Sequence, residues 1–233
     1  MKDKNIFLPF AFLMMAMAIF ACKNDQEALY VVDTVEEYVS QVTANPDMRL
    51  VDIEKHIPDV LLDIRYATPN NFTGEVIYTK PKAYLRKPVA DALKAVQDSL
   101  AHHGLGLLVY DAYRPYAATV RFFEVYPDPD FVADPKYGSR HNRGCAVDVT
   151  LIDLETGVEI PMPTDYDEFT ERAHPEFMDF SDEVIANRTF LFNLMAHHGF
   201  THYPTEWWHF DYDGWEAYPL MDLSFEDLLE AER

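Results

Sequence analysis

The chain has 233 residues, 48% of them apolar and 14% aromatic. That is enough for one domain with a core of its own, and it excludes a disordered chain. Nineteen basic residues against 40 acidic ones leave a net charge of −21, which excludes nucleic acid as a partner because nothing would neutralise its phosphates. A small zwitterionic ligand is not excluded, since it feels the local field of its site.

Lys2 and Lys4 precede an apolar run from Ile6 to Ala21, which ends at Cys22. A short apolar run behind a basic start predicts a secretory signal over residues 1–21. Cys22 after the small Ala21 resembles a bacterial lipoprotein cleavage site. That resemblance implies an acyl anchor on Cys22, contact with the membrane through it, and a location outside the cytoplasmic membrane. The competing reading is a signal anchor retained as a membrane helix, but 16 residues from Ile6 to Ala21 are few for a span. Cys145 is then the remaining thiol and cannot form an internal disulfide. Its place in the sequence pattern predicts a small packed residue and not a nucleophile.

Residues 22–50 read as a tether, with a short helix within Val32 to Val42 that Asn45-Pro46 stops. The domain proper is expected over 51–233. Asp59 to Tyr66 reads as a strand and Pro69-Asn70-Asn71 as loop. Pro88 to His103 reads as a helix, because Val89, Leu93, Val96 and Leu100 recur at three to four residues and Gly104 follows. Leu105 to Asp111 is a short strand of the buried type, and Pro115 opens a helix through Tyr126. Glu155-Thr156-Gly157 suggests a hairpin returning through Val158 to Ile160. Ser181 caps a helix through His198, with Gly199 as its stop. Phe200 to Tyr203 and Glu206 to Tyr212 are short strands, and Phe225 to Leu229 a short docking helix. Strands and helices mix without regular βαβ order. The expected fold class is therefore α+β: a single domain with a central, mainly antiparallel sheet flanked by helices.

Chemistry concentrates in two stretches. Cys145 to Ile152 alternates as a strand, so Ala146, Asp148 and Thr150 share one face. A strand that aims Asp148 inward places a charge where charges are costly, and a cation is one compensation. His141 lies on the Gly144-containing loop ahead of this strand, close enough to reach the same cation. The competing reading pairs Asp148 with Arg140 or Arg143 and leaves His141 at the surface. Glu206-Trp207-Trp208-His209 adds an imidazole and a carboxylate. Catalytic zinc takes three protein ligands and keeps a fourth position open. His141, Asp148 and His209 make such a set, and Glu206 is left over as a general base for a hydrolytic water. The N₂O set also accepts iron, cobalt or nickel.

The spacing Ser139, His141, Gly144, Ala146, Asp148, followed by Glu206, Trp208, His209, resembles the zinc D-alanyl-D-alanine dipeptidases of the vancomycin-resistance type. The blocks from Asp63 to Gly74 and from Tyr110 to Pro115 are similar to the same family. Related D,D-carboxypeptidases and wall endopeptidases share the metal motif, whereas the Tyr66-to-Gly74 block points to the dipeptidase branch. The resemblance implies the D,D-peptidase/hedgehog-like form of the α+β class, one zinc ion per chain, and hydrolysis of D-alanyl-D-alanine in the turnover of cell-wall fragments. It implies that Tyr66 and Asp167 bind the substrate amine and that Ser139 lies near the substrate. Arg114 is the expected stabiliser of the oxyanion, since it follows a buried-type strand. Its alternative is a salt bridge to one of the many acids, and the resemblance favours the catalytic role. Two other readings stay open: a D,D-carboxypeptidase acting on longer peptidoglycan peptides, and a non-catalytic wall-binding lipoprotein with a structural zinc. The sequence points to no protein partner.

Overall fold

The computed structural model describes residues 29–231. The expected signal and Cys22 lie outside the described residues. The chain first pairs β1 (Val31–Val32) with a distant partner near the C-terminus and then forms α1 (Val35–Ala44). Thr34 caps α1 by accepting from the Glu37 amide at 3.3 Å, which satisfies one orphan donor of the first turn. β2 (Leu50–Asp52) leads into the short α2 (Ile53–His56). The second half of the stretch read as a tether is thus built into the fold. Tyr38 is 5% exposed, and its hydroxyl accepts from the Leu50 amide at 2.8 Å.

The expected strand over Asp59 to Tyr66 shrinks to β3 (Leu61–Leu62). Asp59 has a φ of 62°, and a 3₁₀ turn at Arg65–Ala67 bends the chain so that Tyr66 enters the core, 2% exposed. β4 (Tyr84–Arg86) pairs antiparallel with β2 and runs into α3 (Lys87–Ala101). α3 buries Val89, Leu93, Val96 and Leu100 as their spacing requires. β5 (Leu105–Asp111), α4 (Tyr116–Val125) and β6 (Ala146–Asp153) follow. α5 (Asp182–His197) is capped by Ser181 and packs against β7 (Phe200–Tyr203), which pairs with β8 (Glu206–Tyr212). β9 (Leu220–Met221) is the partner of β1, and α6 (Phe225–Ala231) docks through Phe225 and Leu228.

The central sheet has the order β3-β5-β6-β8-β7. Only the short β3 runs parallel to its neighbour; the other pairs are antiparallel. This is the α+β architecture expected, and β6 lies at its centre, buried from Ala146 to Ile152. Register decides what meets there. Asp148 of β6 lies opposite His209 of β8 on one side and opposite Asp111 of β5 on the other. An irregularity between Val109 and Asp111 offsets the β5 pairing at that point, which re-aims the end of the strand.

A 3₁₀ turn at His141–Arg143 delivers the chain into β6, and Gly144 closes it with a φ of 68°. Arg86 is fully buried beside this turn and donates to the carbonyls of Arg143, at 2.8 Å, and Met48. A Cβ on Gly144 would lie 2.5 Å from Leu50 Cδ2, so both backbone conformation and space require glycine here. Gly144→Ala is expected to destabilise the protein by about 2 kcal/mol. Differential scanning calorimetry should show Tm lower by about 4–8 °C; an unchanged Tm would show that the turn relaxes freely.

Candidate active site

Three donor atoms converge between the 3₁₀ turn, β6 and β8. His141 Nε2 lies 3.1 Å from His209 Nδ1 and 3.3 Å from Asp148 Oδ1, and His209 Nδ1 lies 3.1 Å from the same oxygen. Four ligands about 2.0 Å from a tetrahedral ion stand about 3.3 Å from one another, so this spacing fits one small cation. Both imidazoles are oriented from behind. His141 Nδ1 donates to the Ala112 carbonyl at 2.6 Å, and His209 Nε2 donates to Asp211 Oδ1 at 2.9 Å. Each bond leaves the lone pair on the nitrogen that faces the cluster, the arrangement a metal-binding histidine needs. Asp148 Oδ1 is buried without a hydrogen-bond partner, a polar atom that an ion would satisfy.

The electrostatics agree with the geometry. Burial opposes charge on Asp148, yet the two imidazoles hold its carboxyl well below the usual carboxylate range. Burial likewise disfavours a charged His209, but Asp211 and Asp148 raise it to about 10, so a metal ion at this nitrogen would take the place of a proton. Neither Arg140 nor Arg143 takes up Asp148: Arg140 lies nearest Asp211, at 3.6 Å, and Arg143 donates to the Tyr218 carbonyl.

Glu206 stands beside the cluster but outside it. Its Oε2 lies 3.7 Å from His209 Nδ1, while the group of residues that could hold a metal ion comprises His141, Asp148 and His209. Burial pushes its carboxyl up to about 8, and Asp148 and Asp167 add to the effect. Strict alternation along β8 would put Glu206 and His209 on opposite faces. The pairing shifts at Tyr203, opposite Glu206, and this irregularity lets both line one pocket. Trp207 and Trp208 are each 1% exposed and keep this end packed.

Arg114 reaches the pocket as a cation paired with Asp111, as the salt-bridge reading expects. Nε and Nη2 donate to Asp111 Oδ2 at 3.0 and 2.8 Å. Its guanidinium lies over Phe122 at 4.8 Å and Tyr66 at 5.6 Å. Burial works against its charge, but Asp111 keeps it protonated, well above the ordinary arginine range. Asp111 is in turn held by Tyr78 and by the Ala112 amide, each donating at 2.9 Å.

Across the pocket the Tyr66 hydroxyl donates to Asp167 Oδ1 at 3.0 Å. Asp167 sits at a φ of 61°, a conformation that costs an ordinary side chain free energy. Its Oδ2 is buried without a partner, and burial pushes the carboxyl up to about 8. Ser139 lines the same pocket, but its Oγ accepts from the His141 amide at 3.2 Å, so it also holds the turn that presents His141. Phe72, Phe122, Phe131 and Phe169 complete its walls. Cys145 is fully buried behind β6, and burial pushes its thiol up to about 12, as a packed residue and not a nucleophile requires.

The structure brings together His141, Asp148, His209, Glu206, Arg114, Tyr66, Ser139 and Asp167 in one pocket. It adds three residues that the sequence reading passes over. Asp111 and Asp211 carried a short-range signal, three positions before Arg114 and two after His209. Tyr166 carried none; its hydroxyl lies 2.9 Å from Asp148 Oδ2 and 3.1 Å from the Tyr66 oxygen.

Comparison with known proteins agrees with this site. Residues 46–226 match the peptidase family described as D-ala-D-ala dipeptidase. The D-alanyl-D-alanine dipeptidase of Escherichia coli K12 is 37% identical over 176 residues, covering 76% of this chain and 91% of that protein. The enzyme of the same name from Enterococcus faecalis V583 is 32% identical over 195 residues, covering 75% and 93%. That from Streptomyces coelicolor is 30% identical over 178 residues, covering 68% and 88%. Among solved structures the overlap is looser: VanYB in complex with D-alanine-D-alanine gives a TM-score of 0.39 at 16% identity over 67% of this chain and 88% of that one. With most of its length matched, the chain belongs to the D-alanyl-D-alanine dipeptidase family of peptidases.

Proposed function

We propose that this protein hydrolyses D-alanyl-D-alanine to two molecules of D-alanine at a single zinc ion per chain held by His141, Asp148 and His209. The observation that carries the reading is the set of three donors within 3.3 Å of one another, each turned inward, with a buried carboxylate beside them that is not a ligand. Zinc in such a site supplies Lewis acidity, polarising a carbonyl and acidifying water. The remaining steps belong to the chain's own groups. Glu206 takes a proton from the attacking water and returns it to the leaving amine. Its preference for the protonated form at neutral pH would be opposed by the attraction of a nearby dication. Arg114, held rigid by Asp111, faces the charge that develops on the carbonyl oxygen and needs no reorganisation to meet it. Tyr66 and Asp167 close the far end, where the unpartnered Asp167 Oδ2 takes the ammonium of a free dipeptide. An amine-binding carboxylate at that end favours the dipeptide over longer peptides, whose corresponding nitrogen is an amide.

The N-terminal pattern adds a location to this reading. Residues 1–21 serve as the signal and Cys22 as the lipid-bearing residue, which tethers the enzyme outside the cytoplasmic membrane. There it would recover D-alanine from wall fragments.

The test is D-alanine release from D-alanyl-D-alanine and from its N-acetylated analogue, with and without chelator. Chelator-sensitive cleavage of the free dipeptide alone is expected; equal cleavage of both would replace the dipeptidase reading with a carboxypeptidase. Glu206→Gln should keep its zinc by elemental analysis and lose turnover by roughly 10²–10⁴-fold. Wild-type rates in that variant would remove Glu206 from the base role. Cys22→Ala should move the protein from the membrane fraction to the soluble fraction, and persistent membrane association would favour a retained signal anchor.

A further inference from the structure

The hydroxyl of Tyr166 joins the two ends of the site. The ring is 8% exposed, stacked on Tyr110 with centroids 4.5 Å apart and edge-on to Trp208 at 5.5 Å. Its oxygen lies 2.9 Å from Asp148 Oδ2 and 3.1 Å from the Tyr66 oxygen, and Tyr66 itself donates to Asp167 Oδ1 at 3.0 Å. Asp148, Tyr166, Tyr66 and Asp167 therefore form one chain of three contacts from the metal cluster to the far end of the pocket, with two phenol protons to fill them.

The proton count along this chain gives Tyr166 its role. A phenol has one proton to donate. An ordinary phenol keeps that proton at neutral pH. Of its two neighbours, the Asp148 carboxylate is the stronger acceptor. No other donor reaches Asp148 Oδ2 among the described residues. Donation there uses the outer oxygen and leaves Oδ1, which has no partner, turned to the two imidazoles. Tyr66 is left to give its proton to Asp167, while its oxygen rests against Tyr166.

We propose that Tyr166 is a positioning residue that sets the metal ligand Asp148 by donating its one proton to the outer carboxylate oxygen. The inference rests on the zinc dipeptidase reading, but its readout does not use the reaction. A partner behind a metal-binding carboxylate is worth 10- to 100-fold in metal affinity.

Tyr166→Phe keeps the ring and its packing, with near-UV circular dichroism and Tm to confirm the fold. Zinc affinity of the metal-free protein would be measured by competition with a chromophoric chelator. The expected result is zinc binding weaker by about 10- to 100-fold. Zinc affinity within twofold of wild type would overturn the assignment. Tyr66→Phe provides the second arm: it removes the amine-end donor but not the donor to Asp148, so KM should rise while zinc affinity holds. Equal loss of zinc affinity in both variants would overturn the direct role of Tyr166 as well. Wild-type protein that binds no zinc would sink this inference and the dipeptidase reading together. Zinc-bound wild type alongside an unaffected Tyr166→Phe would sink this inference alone.

Discussion

Everything at this site follows from one buried charge. Asp148 is 2% exposed at the centre of the central strand, between Val147 and Val149, which are fully buried. An isolated carboxylate in that position would be prohibitively costly. The fold meets the cost with two imidazoles and a phenol, all within 3.3 Å of the carboxylate. One of its oxygens still has no hydrogen bond. A cluster that brings a carboxylate oxygen and two imidazole nitrogens within 3.3 Å of one another could hold a metal ion.

Sheet register places the charge and its neighbours. Asp111, Asp148 and His209 lie side by side on β5, β6 and β8. Asp148 and His209 of the three-donor cluster occupy one part of this row. The other part anchors Arg114 through Asp111, so that guanidinium is held on the same framework as the cluster. Two irregularities in the pairing, at the end of β5 and at the start of β8, aim residues that strict alternation would turn away. The far end of the pocket is assembled differently, from a 3₁₀ turn carrying Tyr66 and a loop carrying Asp167 at a φ of 61°.

Several acidic groups crowd the site. Asp148, Asp167 and Glu206 share one pocket with two guanidiniums and two imidazoles, and burial lifts Glu206 and Asp167 to about 8. A dication and a substrate ammonium would each remove part of that repulsion. The overall charge of −21 contributes little to this local balance, because surface charges beyond about 10 Å are screened.

The sequence by itself determined the chemistry and most of the elements. His141, Asp148, Glu206 and His209 were legible because metal ligands and a base come in characteristic residue types at short spacings, and a strand period says which way Asp148 points. The helices over α3 and α5 and the strands β5, β7 and β8 were legible because periodicity, caps and breakers act locally. Only the tertiary structure decided what closes around them. Tyr166 meets Asp148 from 18 residues away and Tyr66 from 100, and nothing in its local pattern marks that meeting. β1 pairs with a strand nearly 190 positions later (Val31 with Leu220), so residues that look like a polar tether in sequence belong to the domain. Local patterns report the conformation a segment prefers, whereas long-range hydrogen bonds exist only once the whole chain has chosen its register.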